Sequence, residues 1–249
     1  MDIKNISAPG DTPYMNFFGV DSRVPANNVL QNNLTMFDWV TRNKIQPHFW
    51  GRNIFGENAL TKEEMIFLKK RGCRIAVIQS DDHEKNSVET AEYIAKKFID
   101  KCRNLGLRIN SAIFLEIDQD EELTAEFMVK FAEVIKSAGY SVGFKANTDA
   151  KYAFDREYSR GMNIASNLLV DCMIWAIAPY VDDYNRITTS HLIQPEEWRP
   201  FAPSCTKRKD VAVWQYGVNC HPIDDDMGAE TTFNVNLIIN PQIIIKKMH

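Results

Sequence analysis

The sequence predicts an α/β fold, an irregular barrel of the TIM type with about eight strands and with helices mainly after the first five. Three observations predict it. The chain has 249 residues, close to the ~250 of an eight-stranded α/β barrel. Short apolar runs alternate with amphipathic runs of helical period over the first two thirds, the pattern of a parallel sheet with crossover helices. Strands then continue without helices across a stretch interrupted by Pro179, Pro195, Pro200 and Pro203. Eight strands at this length favour a closed barrel over an open sheet. No linker or repeat marks an internal boundary, so residues 1–15 read as an N-terminal extension and 16–249 as one barrel domain.

Each element has its own signal. Residues 17–20 form a short apolar strand ending at Asp21, and Phe37 to Val40 sit in a helix before Pro47. Residues 48–55 are a second strand around Trp50. The helix at 61–71 opens on Thr61 with Glu64 three residues later, the pattern of a capping box in which each side chain satisfies an orphan backbone N–H. Gly72 ends it. A third strand at 74–79 precedes a helix at 87–104, where Val88, Ala91, Ile94, Ala95, Phe98 and Cys102 recur at helical spacing. The fourth strand lies within 107–118, the next helix covers 124–137, and the fifth strand is 141–146. A helix is expected at 149–160. Strands follow at 172–178, ending at Pro179, then at 211–216 and 231–239.

Composition narrows the function classes. Hydrophobic residues make up 45% and charged residues 25% with a net charge of −4, so a wholly disordered chain is excluded. The acidic balance argues against a nucleic-acid backbone binder, which carries a basic face. No apolar stretch reaches the ~18 residues of a membrane span, and the first residues lack the apolar core of a secretory signal. The expectation is therefore no nucleic-acid and no membrane partner, with localisation open between retention in the cytoplasm and release by a route without a signal. The five cysteines are odd in number and form no CxxC pair, which disfavours a disulfide framework or a zinc ribbon. No nucleophile elbow, Walker A loop or GxGxxG occurs. No cofactor and no metal is expected. Asp81-Asp82-His83 resembles part of a metal-dependent deacetylase site, but no HxxH or HxxxH accompanies it.

The most informative segment is Ile113-Phe114-Leu115-Glu116-Ile117-Asp118-Gln119-Asp120. Alternate side chains of a strand share a face, so Glu116, Asp118 and Asp120 point one way. Carboxylates gathered at the C-terminal end of a barrel strand repel unless a cation, a metal, hydrogen bonds or a raised pKa offsets them. That end is also where barrel enzymes carry their catalytic groups. Residues two apart on a strand are ~6.5–7 Å apart, within reach of the carboxyl separations used in glycoside hydrolysis. Asp21 closes the first strand at the same rim. Asp118 and Asp120 also fit a loop entry or helix cap before Thr124, and Asp21 also fits a turn before Ser22. Trp50, Trp175, Trp214 and Tyr216 near strand ends suit either sugar stacking or core packing.

Six short pieces in order resemble the family 25 glycoside hydrolases (lysozyme-type muramidases) and, more closely, the glycoside hydrolase-like domains related to them. They are Phe18-Gly19-Val20-Asp21, Trp50-Gly51-Arg52-Asn53-Ile54, Leu60-Thr61-Lys62-Glu63-Glu64 with Gly72-Cys73-Arg74-Ile75, the strand from Ile113 to Asp120, Gly139-Tyr140-Ser141-Val142-Gly143-Phe144, and Val213-Trp214-Gln215-Tyr216. The resemblance implies a barrel of five β/α units followed by three strands, and hydrolysis of a polysaccharide such as the bacterial cell-wall glycan. It implies Asp120 as general acid, Asp118 as stabiliser of positive charge on the sugar, and Asp21 as a group that orients or activates. Glu116, Gln79, Trp50, Arg52, Trp175, Trp214, Gln215, Tyr216 and Asn234 are the candidate substrate contacts. The muramidases usually have Glu where Asp120 stands and a late Asp where Asn234 stands. Those two departures motivate the alternative of a weak or inactive glycan-binding barrel.

Overall fold

The structure, a computed structural model, describes residues 17–42, 46–80, 83–118, 122–181, 186–187, 200–207, 210–222 and 232–249. In chain order the elements are β1 (Phe18–Asp21), α1 (Met36–Thr41), β2 (Phe49–Arg52), α2 (Lys62–Lys70), β3 (Arg74–Gln79), α3 (Val88–Leu105), β4 (Ala112–Ile117), α4 (Ala125–Ser137), β5 (Ser141–Ala146), α5 (Ala153–Leu169), β6 (Met173–Val181), β7 (Arg186–Ile187), β8 (Val211–Pro222), β9 (Phe233–Ile238) and α6 (Pro241–Ile244). Strands β1 to β6 pair in parallel, each with the next. β6 then pairs in parallel with β8, and β9 runs antiparallel between β8 and β1, which closes the ring. The two-residue β7 pairs only with β8. The result is the expected irregular α/β barrel with eight strands in the ring.

Strand alternation sorts the core into two parts. Ile113, Leu115 and Ile117 of β4 pack outward against the helices with Phe98, Phe127 and Phe131. Ala112 and Phe114 face inward and meet Phe49, Ile78, Met173 and Trp175. Trp175 makes edge-on contacts with Phe49 (5.7 Å) and Phe114 (5.2 Å), so aromatic side chains fill the barrel interior. Glycine makes room for them. A Cβ on Gly19 would sit 1.9 Å from the Phe49 ring, and one on Gly143 would sit 2.3 Å from the Phe114 ring. Ile244, Ile245 and Met248 of the C-terminal segment join this inner core.

The helix at Thr61 has its predicted cap, and the starts expected at 87 and 124 prove to be capped in the same way. Thr61, Ser87 and Thr124 each accept the backbone N–H three residues on. The reciprocal half of the capping box at α2 is absent. The Glu64 carboxylate turns away and accepts from Arg52 Nε (2.8 Å) and the Ala26 N–H (2.7 Å). Several boundaries also differ from expectation, among them β2, which stops at Arg52 rather than 55. α5 runs to Leu169 rather than 160, with a break at Ala165. β6 passes through Pro179, where its ladder with β8 shifts register between Ile177 and Val181, and a bulge demands no N–H from proline. β8 continues to Pro222 instead of stopping at Tyr216.

Candidate functional site

Asp21 ends β1 with its side chain on the inner face, the face on which a Cβ at Gly19, two residues back, would meet the Phe49 ring. The buried carboxylate gathers three donors from two other strands. Asn236 Nδ2 donates to Oδ1 (2.7 Å), while Asn234 Nδ2 (2.8 Å) and Lys145 Nζ (3.0 Å) donate to Oδ2. The two asparagines lie two apart on β9, opposite Gly19 and Asp21 in the antiparallel ladder. Each is itself fixed. Asn236 Oδ1 accepts the Trp175 indole N–H (2.9 Å), and Asn234 Oδ1 accepts the backbone N–H of Asn219 (3.1 Å). Asn219 adopts φ +46°, a left-handed conformation that asparagine tolerates better than most residues.

Lys145 is the centre of the arrangement. It projects inward from β5 and is 2% exposed, with its ammonium 3.0 Å from Asp21 and 2.9 Å from Glu116 Oε1. It also lies 5.4 Å from the Trp175 ring centroid. Burial alone would push this ammonium down. The charges of Asp21 and Glu116 and their hydrogen bonds outweigh that and hold it above the ordinary lysine value. Glu116 and Lys145 face each other directly across the β4–β5 ladder. Asp118 follows on the same side of β4 and is exposed.

These groups surround a cleft of about 450 Å³ at the C-terminal ends of the parallel strands. Asp21, Glu116, Asp118 and Lys145 line it together with Arg23, Ser22, Asn53, Ser80, Asn219, Thr232 and Asn234. Gly51 lines it too, and no larger residue fits there. A Cβ would lie 2.5 Å from Ile78 Cδ1, 2.7 Å from Asp21 Cβ and 3.2 Å from Trp175 Cη2.

Of the residues expected from sequence, Asp21, Asp118, Glu116 and Asn234 come together in this cleft. Asp120 lies outside the described residues, as do Asp81 and Asp82. The remaining assignments change. Trp50, Trp175, Trp214 and Tyr216 have 0–1% exposure, so none offers a ring face to a sugar, and all four belong to the core. Trp214 donates to the Ala178 carbonyl (2.7 Å), and Trp50 stacks on Phe37 (5.6 Å). Arg52 points outward from the barrel and is fully buried. It pairs with Glu64 and donates to the carbonyls of Ser22 and Asn58. Its contact with Ser22 fixes the turn after Asp21 rather than a ligand. Gln79 is spent on the backbone, its Oε1 accepting the N–H groups of Ile54 and Phe55, both at 2.9 Å. Gln215 is buried opposite Asn236 in the β8–β9 ladder. His83 is exposed and packs its ring on Tyr93 at 5.3 Å. Among the described residues no group of His, Cys, Asp and Glu is arranged to hold a metal ion. Among them, too, no helix is long and apolar enough to cross a membrane. The buried thiols Cys102 and Cys172 are pushed up to about 12 by burial, which makes them poor nucleophiles.

Lys145, Asn236, Gly51 and Arg23 were not foreseen. The signal for Lys145 was present, since a lysine two residues after Gly143 in an apolar strand must share the inner face.

No protein-family profile matches the chain, and no curated protein matches it in sequence. Solved structures do. An uncharacterised protein of B. stearothermophilus superposes with a TM-score of 0.75 at 22% identity, covering 94% of this chain and all of that one. The modular autolysin LytC of Streptococcus pneumoniae, solved with a synthetic peptidoglycan ligand, superposes with a TM-score of 0.52 at 11% identity. That match covers 90% of this chain but 46% of LytC. The catalytic domain of endolysin ply40, from a Listeria monocytogenes bacteriophage, gives 0.50 at 13% identity, covering 95% of this chain and 98% of that one. At these identities the shared property is the barrel fold.

Proposed function

We propose that the chain is a glycoside hydrolase-like barrel that acts on a cell-wall or related polysaccharide through the carboxylates of this cleft. One observation carries the reading: Asp21, Glu116 and Asp118 line a single, mostly polar cleft at the C-terminal end of a parallel-stranded barrel. Neutral hydrogen-bonding groups such as Ser22, Asn53, Ser80, Asn219 and Thr232 suit hydroxyl-rich ligands, and carboxylates supply the acid and the counter-charge that glycosidic cleavage needs. The barrels of an autolysin and an endolysin as structural neighbours support a cell-wall glycan as the substrate class. In this reading Asp120 protonates the leaving oxygen, Asp118 stabilises positive charge developing on the sugar, and Asp21 orients the reacting groups. Residues 16–249 act as one barrel unit.

A second reading is favoured by a specific observation. Lys145 compensates two of the three carboxylates of the cleft, and an amide stands at Asn234. A barrel so arranged would bind glycan without cleaving it. The two readings separate in one experiment. The protein is incubated with purified peptidoglycan and a panel of soluble glycans, and both new reducing ends and bound protein are measured. Hydrolysis predicts release that Asp118→Asn and Asp120→Asn each abolish. Binding without release from any glycan overturns the hydrolytic reading in favour of the second.

A further inference from the structure

The charge balance at the bottom of the cleft assigns a role to a residue outside the acid–base set. We infer that Lys145 is a positioning residue, which joins Asp21 and Glu116 into one charge-compensated unit and thereby leaves proton exchange with a ligand to the carboxylates nearer the mouth.

Both carboxylates hydrogen-bond to the same nitrogen, at 3.0 Å and 2.9 Å, so their nearest oxygens lie within about 6 Å of one another. A buried and a partly buried carboxylate at that separation repel unless a cation stands between them. Every element packed against the ammonium contributes to this balance. β1 brings Asp21, β4 brings Glu116, and β6 brings the Trp175 ring. β9 brings Asn234 and Asn236 to the far side of Asp21. Among the described residues, the other charged groups lining the cleft are Asp118 and Arg23. Lys145 itself lines the cleft but is 2% exposed, with its ammonium engaged by both carboxylates.

Removal of the ammonium has a defined consequence. With a neutral side chain at position 145, Asp21 and Glu116 are left facing one another without a cation, and one of them takes up a proton. The folded state of the variant then binds a proton that the unfolded chain releases, so its stability relative to wild type falls as pH rises. Removing Glu116 as well leaves one carboxylate with its two asparagine donors, and the added slope disappears.

The catalytic part of this role rests on the hydrolytic reading above, whereas the charge-pairing part does not. The test therefore has two arms. In the first, thermal denaturation is followed from pH 5 to pH 8 for wild type, Lys145→Met, Lys145→Arg and the double variant Lys145→Met with Glu116→Gln. Lys145→Met loses stability relative to wild type as pH rises, Lys145→Arg keeps the wild-type slope, and the double variant recovers it. If Lys145→Met is too unstable to measure, the contrast of Lys145→Arg and the double variant with wild type still decides. A double variant that shares the defect of Lys145→Met, or a Lys145→Met protein that parallels wild type at every pH, overturns the inference. In the second arm, glycan release by Lys145→Met falls about tenfold or more in kcat with KM within about twofold, because the ammonium, 2% exposed, offers a ligand almost no surface. Lys145→Arg restores part of it. A change confined to KM overturns the positioning role. If wild type releases nothing, the hydrolytic reading falls, and the pH arm alone decides the role of Lys145.

Discussion

Asn236 shows how a single side chain ties the cleft to the core. Its amide donates to Asp21 and accepts from the Trp175 indole. Asn236→Leu removes both contacts and leaves a buried carboxylate oxygen and a buried N–H short of a partner. The expected cost is about 1–3 kcal/mol in chemical denaturation. The pH dependence at this scale is set by Lys145, whose pKa the fold raises above the ordinary 10.5. A raised lysine contributes stability that is complete below the unfolded value and is lost as pH climbs through the folded one. Its contribution to the melting temperature of wild type is therefore flat across neutral pH and declines only above pH 10.5. Strand period alone read Glu116 and Asp118 onto one face, and the structure places them so. Period could not reveal which strand would lie opposite. Lys145 was invisible as the partner of Asp21 because 124 residues separate them. Sequence leaves the tryptophans open between sugar stacking and core packing for a related reason. Proximity to a strand end does not say whether the ring faces the barrel exterior under a helix, where Trp50 and Trp214 pack, or its filled interior, where Trp175 packs.

Elements position the site through buried polar contacts that local pattern does not reveal. The Thr61–Glu64 spacing correctly marked the start of α2, but tertiary contact outbid the local bond. A buried guanidinium at Arg52 needs a carboxylate more than the Thr61 N–H does. Glu64→Ala strands Arg52 with no exposure and no counter-charge, and the expected loss is about 3–5 kcal/mol. Thr61→Ala, which removes only the cap, is expected to cost about 1 kcal/mol. Parallel urea titrations of the two variants check the ranking, and equal losses would contradict it. β2 makes a comparable demand. Gly51→Ala inserts a methyl against Ile78 and Asp21, with an expected loss of about 1–3 kcal/mol and displacement of the Asp21 carboxylate. The longer course of α5 escaped periodicity because its second half, from Gly161 to Asn167, carries Gly, Ser and two Asn in place of a clean apolar stripe.

At the scale of the whole molecule, the change of rhythm after the fifth β/α unit corresponds to a change in how the barrel closes. Five helices cover the parallel strands β1 to β5, and the ring is then completed by β6, β8 and an antiparallel β9. The antiparallel strand matters for the site. Running against β1, it delivers Asn234 and Asn236 beside Asp21. The number of strands was legible because each is a separate apolar run. The direction of β9 was not, since a strand reads the same way from either end. Barrel closure brings the ends of β1, β4, β5 and β9 around one cleft, which in the reading proposed above cleaves glycan. The most direct measurement is the rate at which reducing ends appear from purified peptidoglycan, wild type against Asp118→Asn, at equal folded concentration. Release by wild type and a loss of about a hundredfold or more in the variant are expected. Equal rates in the two proteins would contradict that reading.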